Sequence, residues 1–324
     1  MDIACCTDHI YLKYCITMLL SLFNHHRGED VRVHLLANGL QPNDVDKVRR
    51  IVEVNGARLN VYEVDGGLLN SLTRGQYNYI TPTTYARLFL PNILPVEVDK
   101  VVYLDCDLLV MDSLKALWQF SLGDGYELAA VVDSCSANTR YYERLRLPSG
   151  HRYFNAGVLL IDLAAWRKRG FVELAMELLE NGQLKLDYAD QDVLNVLCAG
   201  RTKYLSVRYN LQEAMLRRYV PEIEEDTRVE IVDCLSSPAV IHFTYILKPW
   251  CYLSFHPYRK HFYHYFDQTE WRGERPVPRF NDLVKRIAWW GAAKFNLVNK
   301  YHPLPRHMEY ARWKKAHQPL QKRG

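Results

Sequence analysis

The stretch that most constrains this chain is Lys100 to Val110, KVVYLDCDLLV. Val101 to Leu104 are apolar or aromatic and follow polar Lys100, which predicts a short buried strand. Asp105 and Asp107 come next, with only Cys106 between them. In extended backbone, residues two apart point to one side, so the run would carry two carboxylates out of a hydrophobic sheet at the strand's C-terminal end. Open α/β sheets bind ligands at that edge. Carboxylates this close repel each other and are costly to bury without a cation between them. A hard divalent ion, Mg²⁺ or Mn²⁺, is the natural partner and would leave coordination positions for phosphate oxygens. The alternative is a strand end with two solvated turn aspartates.

Around this stretch the pattern alternates. Asp2 to Cys6 reads as a first strand, Tyr11 to Phe23 as a helix, Val31 to Ala37 as a second strand, Asn43 to Val54 as an amphipathic helix capped by Asn43 or Asp44, and Leu59 to Val64 as a third strand. That β-α-β-α-β order predicts a parallel, helix-covered sheet. Farther on come a helix over Thr83 to Leu90 entered from Pro82, strands at Glu127 to Val132 and Asn155 to Leu163, and a helix from Ala164 to Glu180. A short helix at Asp190 to Leu197 and a strand at Ala239 to Thr244 complete the pattern. The expected division is a single α/β domain over residues 1–260 and a basic aromatic C-terminal appendage over 261–324.

Charge divides the same way. Residues 281–324 carry ten Lys/Arg against two acidic residues, whereas the overall balance of the chain is only +4. Trp, Phe and Tyr interleave with these cations, a mixture that suits an anionic membrane surface. The alternatives are a solvated basic tail and a nucleic-acid patch. The expected contact is a membrane surface, and nucleic acid is not an expected partner. Eight cysteines without a C-x-x-C pair read as reduced thiols. The opening MDIACC has no signal-peptide pattern, and the longest apolar stretch is too short for a bilayer. The expected location is cytoplasmic, peripheral on the inner face of the cytoplasmic membrane.

No G-x-G-x-x-G or Walker loop is present, so a nucleotide's phosphates would have to be held by a metal. His242, at the end of the apolar run PAVIHFT, is a candidate third ligand, better for Mn²⁺ than for Mg²⁺. Lys248 of the following Lys-Pro-Trp would neutralise a phosphate from the far side. A satisfied core histidine is the competing reading. Asn155-Ala156-Gly157 offers small residues that let a ligand approach the backbone, or is a simple turn. Asp190, Gln191 and Asp192 either cap a helix or place Gln191 against sugar hydroxyls.

Taken together, MDIACCTDHIY, ITPTTYARLFLP, KVVYLDCDLLVMDSL, YFNAGVLLIDLAAWR, DYADQDVLN and IHFTYILKPW resemble the family-8 retaining glycosyltransferases, in the same order and over nearly the whole chain to about residue 255. The resemblance is greatest to the bacterial lipopolysaccharide α-galactosyl- and α-glucosyltransferases, with glycogenin more distant. It implies a GT-A-type, single Rossmann-like α/β domain with a mixed central sheet. It also implies Mn²⁺ (or Mg²⁺) on Asp105, Asp107 and His242, with Lys248 on a diphosphate. Cys6 and Asp8 then match the base and ribose contacts, with Tyr11 stacking nearby, Ile80 adjoining and Cys106 counted on the nucleotide side. Arg87, Asn155, Asp190 and Gln191 match donor-sugar positions, and Asp133 lines the acceptor side. Gln191, Asp190 and Asp133 are the catalytic candidates.

Two departures stand out: Tyr245 occupies the usual glycine of the family's H-x-x-G-x-x-K-P-W motif, and His9-Ile10 replace a polar stretch. The implied reaction is retaining hexose transfer from UDP-galactose or UDP-glucose to a glycan or lipid-linked acceptor, by front-face attack because no side chain is an evident nucleophile. Two rival functions share parts of this pattern. A haloacid-dehalogenase-type phosphatase also has D-x-D after an apolar strand, but it wants Thr or Val where this chain has Leu109. The other is a non-catalytic sugar-nucleotide binder.

Overall fold

A computed structural model describes residues 1–67, 82–295 and 297–317. Its centre is a seven-stranded mixed sheet in the order β3-β2-β1-β4-β7-β6-β8. The strands are β1 (Asp2–Asp8), β2 (Arg32–Asn38), β3 (Arg58–Glu63), β4 (Lys100–Leu104), β6 (Leu128–Val132), β7 (Phe154–Asp162) and β8 (Thr202–Tyr204). The first three pair in parallel through the helices Leu12–His25 and Pro42–Val54, as the alternation predicts. β4 joins β1 in parallel, but β7 runs antiparallel between β4 and β6. A smaller sheet, β5-β10-β9, is made of β5 (Leu108–Val110), β10 (Val240–His242) and β9 (Leu211–Gln212).

β1 and β4 are neighbours, while the chain after β1 goes to β2 on the other side. Their carboxyl ends, at Asp8 and Leu104, therefore flank the crevice where a sheet reverses its winding. The strands that build it are almost wholly buried because helices cover both faces, which explains their continuous rather than alternating apolar runs.

Local rules account for the departures from the pattern. The expected helix over Ala164 to Glu180 is two helices, Leu163–Arg169 and Phe171–Asn181, because Gly170 between them adopts φ +65°, a left-handed turn that ends the first and starts the second. The second helix of the chain is capped by Gln41 rather than by Asn43 or Asp44. Pro42 takes the first helical position, and the Asp44 carboxylate reaches back to the Gln41 N–H at 3.4 Å. The Thr83 to Leu90 segment is a 3₁₀ helix, Pro82–Phe89, followed by one short α-turn. Toward the C-terminus, helix Arg259–Phe266 packs on helix Leu12–His25, where Asn24 donates to the Tyr265 hydroxyl at 3.1 Å. Trp313 is buried in the same apolar cluster as β1 and β2.

Candidate active site

β4 ends at Leu104, and Asp105 to Asp107 do not continue it. The Asp105 N–H donates to Gly157 O of β7 at 2.9 Å, whereas the Asp107 carbonyl accepts from the Phe243 N–H beyond β10 at 3.0 Å. The two aspartates therefore belong to different sheets, and the chain bends at Cys106 between them. Their convergence is tertiary rather than the same-face consequence of extended backbone. One ligand atom each from Asp105, Asp107 and His242 lies within 4.8 Å of the others, with His242 Nε2 at 3.3 Å from Asp107 and 3.9 Å from Asp105.

The tautomer of His242 follows from backbone donors. The Gly157 N–H donates to Asn155 Oδ1 at 3.0 Å, so that amide oxygen also accepts from Asn210 Nδ2 at 2.9 Å. Asn210 Oδ1 is thereby turned to accept from His242 Nδ1–H at 2.9 Å. The lone pair is left on Nε2, facing the carboxylates, which is the arrangement a metal-ligating imidazole requires. Two carboxylates and one imidazole nitrogen form a mixed O/N set that fits a divalent cation, Mn²⁺ better than Mg²⁺. Lys248 Nζ lies 2.6 Å from Asp107 Oδ2 and also donates to the Phe243 carbonyl. Burial pushes the Asp107 carboxyl up, but the Lys248 ammonium beside it outweighs that and holds it well below the usual carboxylate range.

Behind the aspartates lies Arg87. Its guanidinium reaches Asp105 Oδ1 at 2.8 Å, Asp190 Oδ2 at 2.9 Å and the Ala156 carbonyl at 2.6 Å, with the Tyr103 ring 4.5 Å away. Thr84 and Tyr103 hydroxyls add bonds to Asp190 and Asp105 at 2.6 and 3.1 Å. Arg87 thus locks two acidic residues from within the core rather than presenting an open fork. Burial raises the Asp190 carboxyl to about 6, against the opposing pull of Arg87 and the Thr84 hydroxyl.

The native chain therefore keeps a proton that unfolded Asp190 has lost, so this group's contribution to stability falls as pH rises from 3.8 to about 6. Urea midpoints of the wild type should fall relative to those of Asp190→Asn across that window. Parallel curves would contradict the assignment.

On the other side, Asn155 Nδ2 donates to Asp133 Oδ2 and Gln191 Oε1, each at 3.2 Å, and Gln191 Nε2 reaches Asp133 Oδ2 at 3.3 Å. Gln191 Oε1 also accepts the Ala156 N–H at 3.1 Å. Burial raises the Asp133 carboxyl, with the Cys135 N–H, Asn155 and Gln191 working against it. Gln191 and Asp190 open helix Ala189–Leu197, but neither caps it with its side chain. Asp192 instead accepts the Tyr188 N–H at 2.8 Å and is held by Arg144 and Tyr153 at 2.6 Å each.

At the β1 end, the Asp8 carboxylate accepts the Tyr11 N–H at 2.9 Å and the Thr83 hydroxyl at 3.3 Å, and Cys106 Sγ donates to the Cys6 carbonyl at 3.1 Å. Tyr11 stands edge-on to Trp250 at 6.4 Å, while Tyr14 stacks on Trp250 at 3.7 Å. The Lys248-Pro249-Trp250 segment is thereby pinned to helix Leu12–His25. Ile80 lies outside the described residues.

The sequence model described as Glycosyl transferase family 8 matches residues 2–254. The chain belongs to glycosyl transferase family 8. It is 27% identical over 279 residues to General stress protein A of Bacillus subtilis (strain 168), covering 84% of this chain and 94% of that protein. It is 25% identical over 277 residues to the lipopolysaccharide 1,2-glucosyltransferase of Escherichia coli (strain K12), covering 85% and 80%. Among solved structures it resembles the galactosyltransferase LgtC in complex with donor and acceptor sugar analogs, with TM-score 0.76, 27% identity and coverage of 90% of this chain and 99% of that one. The fold is GT-A, the chain is a glycosyltransferase, and a nucleotide-sugar donor and a glycan acceptor follow from that membership.

For a family 8 chain, Asn210 and Thr84 are part of this arrangement without being singled out by the sequence, and Gly157 has a role other than the one its small neighbours suggest. Asn210, fully buried, relays from His242 to Asn155. Thr84 bridges Arg87 and Asp190. Gly157 lies where a Cβ would come 2.2 Å from His242 Cε1, so what its missing side chain admits is an imidazole rather than a ligand. Of the two departures, Tyr245 is exposed on the loop after β10, and His9 is drawn aside to the Asp44 carboxylate at 2.8 Å.

Proposed function

We propose that this glycosyltransferase moves a hexose, galactose or glucose, from a UDP-sugar to a glycan hydroxyl with retention, giving an α-linkage, in lipopolysaccharide or other cell-surface glycan assembly. The observation that carries the reading is the Asp105–Asp107–His242 cluster at the crevice beside β1, with Lys248 on one flank and the Asn155–Gln191–Asp133 chain on the other. Asp105, Asp107 and His242 would hold Mn²⁺, which when bound would supply positive charge against the diphosphate of the leaving UDP. Lys248 adds a second cation there. Cys6, Asp8, Tyr11 and Cys106 form the nucleotide end, and Arg87 keeps Asp105 aimed at the cluster.

Retention without a covalent intermediate fits the hydrogen bonding. Gln191 Oε1 already accepts two N–H donors, and Asp190 is buried against Arg87 and Thr84, so neither stands as an exposed nucleophile for the anomeric carbon. The acceptor hydroxyl then attacks from the leaving-group face and gives its proton to the β-phosphate, with Asp133 and Gln191 orienting the sugars. Calorimetric titration of UDP, UDP-galactose and UDP-glucose with and without Mn²⁺, for wild type and Asp107→Ala, tests this. Metal-dependent binding that the substitution removes is the expected result, and the tighter sugar names the donor. Metal-independent binding would overturn the reading.

Residues 1–260 would then be the transferase body and 261–324 a basic aromatic appendage meeting the inner face of the cytoplasmic membrane. No helix among the described residues is long and apolar enough to cross a membrane. Helix Phe280–Lys294 turns Phe280, Ile287 and Trp290 outward, 78%, 71% and 64% exposed, at helical spacing. Ile287→Glu with Trp290→Glu should cut co-flotation with anionic vesicles by at least tenfold, leaving UDP binding unchanged. Equal flotation would end the membrane proposal.

A further inference from the structure

Helix Phe280–Lys294 is anchored to the segment that follows Trp250. Trp289 stacks on Phe255 at 3.8 Å, and Arg286 lies 5.0 Å from the Tyr252 ring and 4.8 Å from that of Phe255 while donating to the Tyr252 carbonyl at 2.5 Å. So held, the helix contributes Arg286 to a cleft of about 930 Å³ that none of the site residues above lines. Leu283 and Trp290, three residues before Arg286 and four after it, share its face of the helix and are 43% and 64% exposed. The face that carries Arg286 into the cleft therefore continues beyond it as uncovered apolar surface.

The lining of the cleft has two characters. Tyr252, Phe255, Tyr263, Leu304 and Tyr310 give it aromatic and aliphatic walls, and four cations stand among them, Arg259, Lys260, Arg275 and Arg286, against the single lining carboxylate of Glu309. Asp267 neutralises Arg275 at 2.7 Å. Arg259, Lys260 and Arg286 pair with no carboxylate among the described residues. Arg259 gives one N–H to the Pro249 carbonyl at 2.8 Å and Arg286 one to Tyr252, which leaves donors on both guanidinium groups unused, and Lys260 is exposed. Three unneutralised cations call for an anion. The apolar walls, and the uncovered helix face that runs on from them, call for hydrocarbon. A free phosphate would satisfy the first demand alone. An anionic head with an apolar tail satisfies both.

We propose that this cleft binds one acidic phospholipid, with its phosphate among Arg259, Lys260 and Arg286 and its acyl chains along Leu283 and Trp290. This rests on the reading of residues 261–324 as a membrane contact, and it makes of a diffuse attraction to anionic surface a site for a single lipid.

Calorimetry of the full chain with dihexanoyl phosphatidylglycerol, dihexanoyl phosphatidylcholine and glycerol phosphate, each as a dissolved monomer, tests it without a membrane. The phosphatidylglycerol should bind once, at least tenfold tighter than either of the others. Lys260→Glu and Arg286→Gln should each weaken it at least tenfold without changing UDP binding. Lys260, on the surface, keeps the test decisive if Arg286→Gln loosens its helix. Absence of binding, or indifference to Lys260→Glu, would overturn the site. Equal affinity for glycerol phosphate or for phosphatidylcholine would overturn the ligand class. Flotation with vesicles of phosphatidylcholine and phosphatidylglycerol separates this site from the reading it rests on. Intact short-chain binding without flotation would uphold the cleft and end the membrane reading, whereas flotation without short-chain binding would end the cleft alone.

Discussion

Alanine at position 157 should lower kcat/KM by about a hundredfold or more, although the change adds a single methyl group. A Cβ there would sit 2.2 Å from His242 Cε1, 2.7 Å from Nδ1 and 3.0 Å from Asp105 Oδ2. β7 cannot retreat, because it is bonded to β4 on one side and β6 on the other. His242 cannot swing aside without giving up its bond to Asn210, so the imidazole and the Asp105 carboxylate must separate. A Mn²⁺ titration of activity should show the dependence shifted to higher metal concentration or lost, while urea unfolding reports whether the fold survives. An unchanged Mn²⁺ dependence would mean His242 is not a ligand.

Arg87→Met should be the most destabilising change at the site, on the order of 3–5 kcal/mol, because it leaves buried acidic partners without their cation. Asp190 and Arg87 are both nearly inaccessible, and the guanidinium also satisfies the Ala156 carbonyl. Lysine would not substitute, since one ammonium cannot reach Asp105, Asp190 and the carbonyl together. Urea unfolding of Arg87→Met, and of Arg87→Met with Asp190→Asn, checks this. The second change should restore part of the loss by removing one buried charge, and a loss under about 1 kcal/mol would contradict the account.

Much of this architecture is legible along the chain, for a physical reason. Strands covered on both faces read as continuous apolar runs, as over Ile3–Cys6, Val101–Leu104 and Val158–Ile161, whereas in β2 buried His34 interrupts the run. The chemistry-bearing residues announce themselves because carboxylates next to such runs are costly without partners. What escapes is whatever depends on a partner far away in sequence. Asn210 is one polar residue in an ordinary loop, and its place between His242 and Asn155 exists only once β9 pairs with β10. Thr84 looks like any hydroxyl beside a proline until helix Ala189–Leu197 brings Asp190 to it. Gly157 reads as a small residue that lets a ligand approach or as a turn, and although the predicted strand includes it, nothing local reveals an imidazole above it. Trp313 sits in a stretch whose basic composition argues for the surface, yet its ring fills the core.

The bend at Cys106 has a consequence for the order in which the protein becomes competent. Asp105 is fastened to the large sheet and Asp107 to the small one, and the third member, His242, comes from the small sheet's last strand in chain order. A chain emerging from the ribosome can assemble most of the large sheet while its acidic pair still lacks its third corner. The constellation closes only when residues 240–242 insert between β5 and β9. Under the proposed function, a chain that stops short of residue 240 lacks one of the three metal ligands however complete its large sheet is.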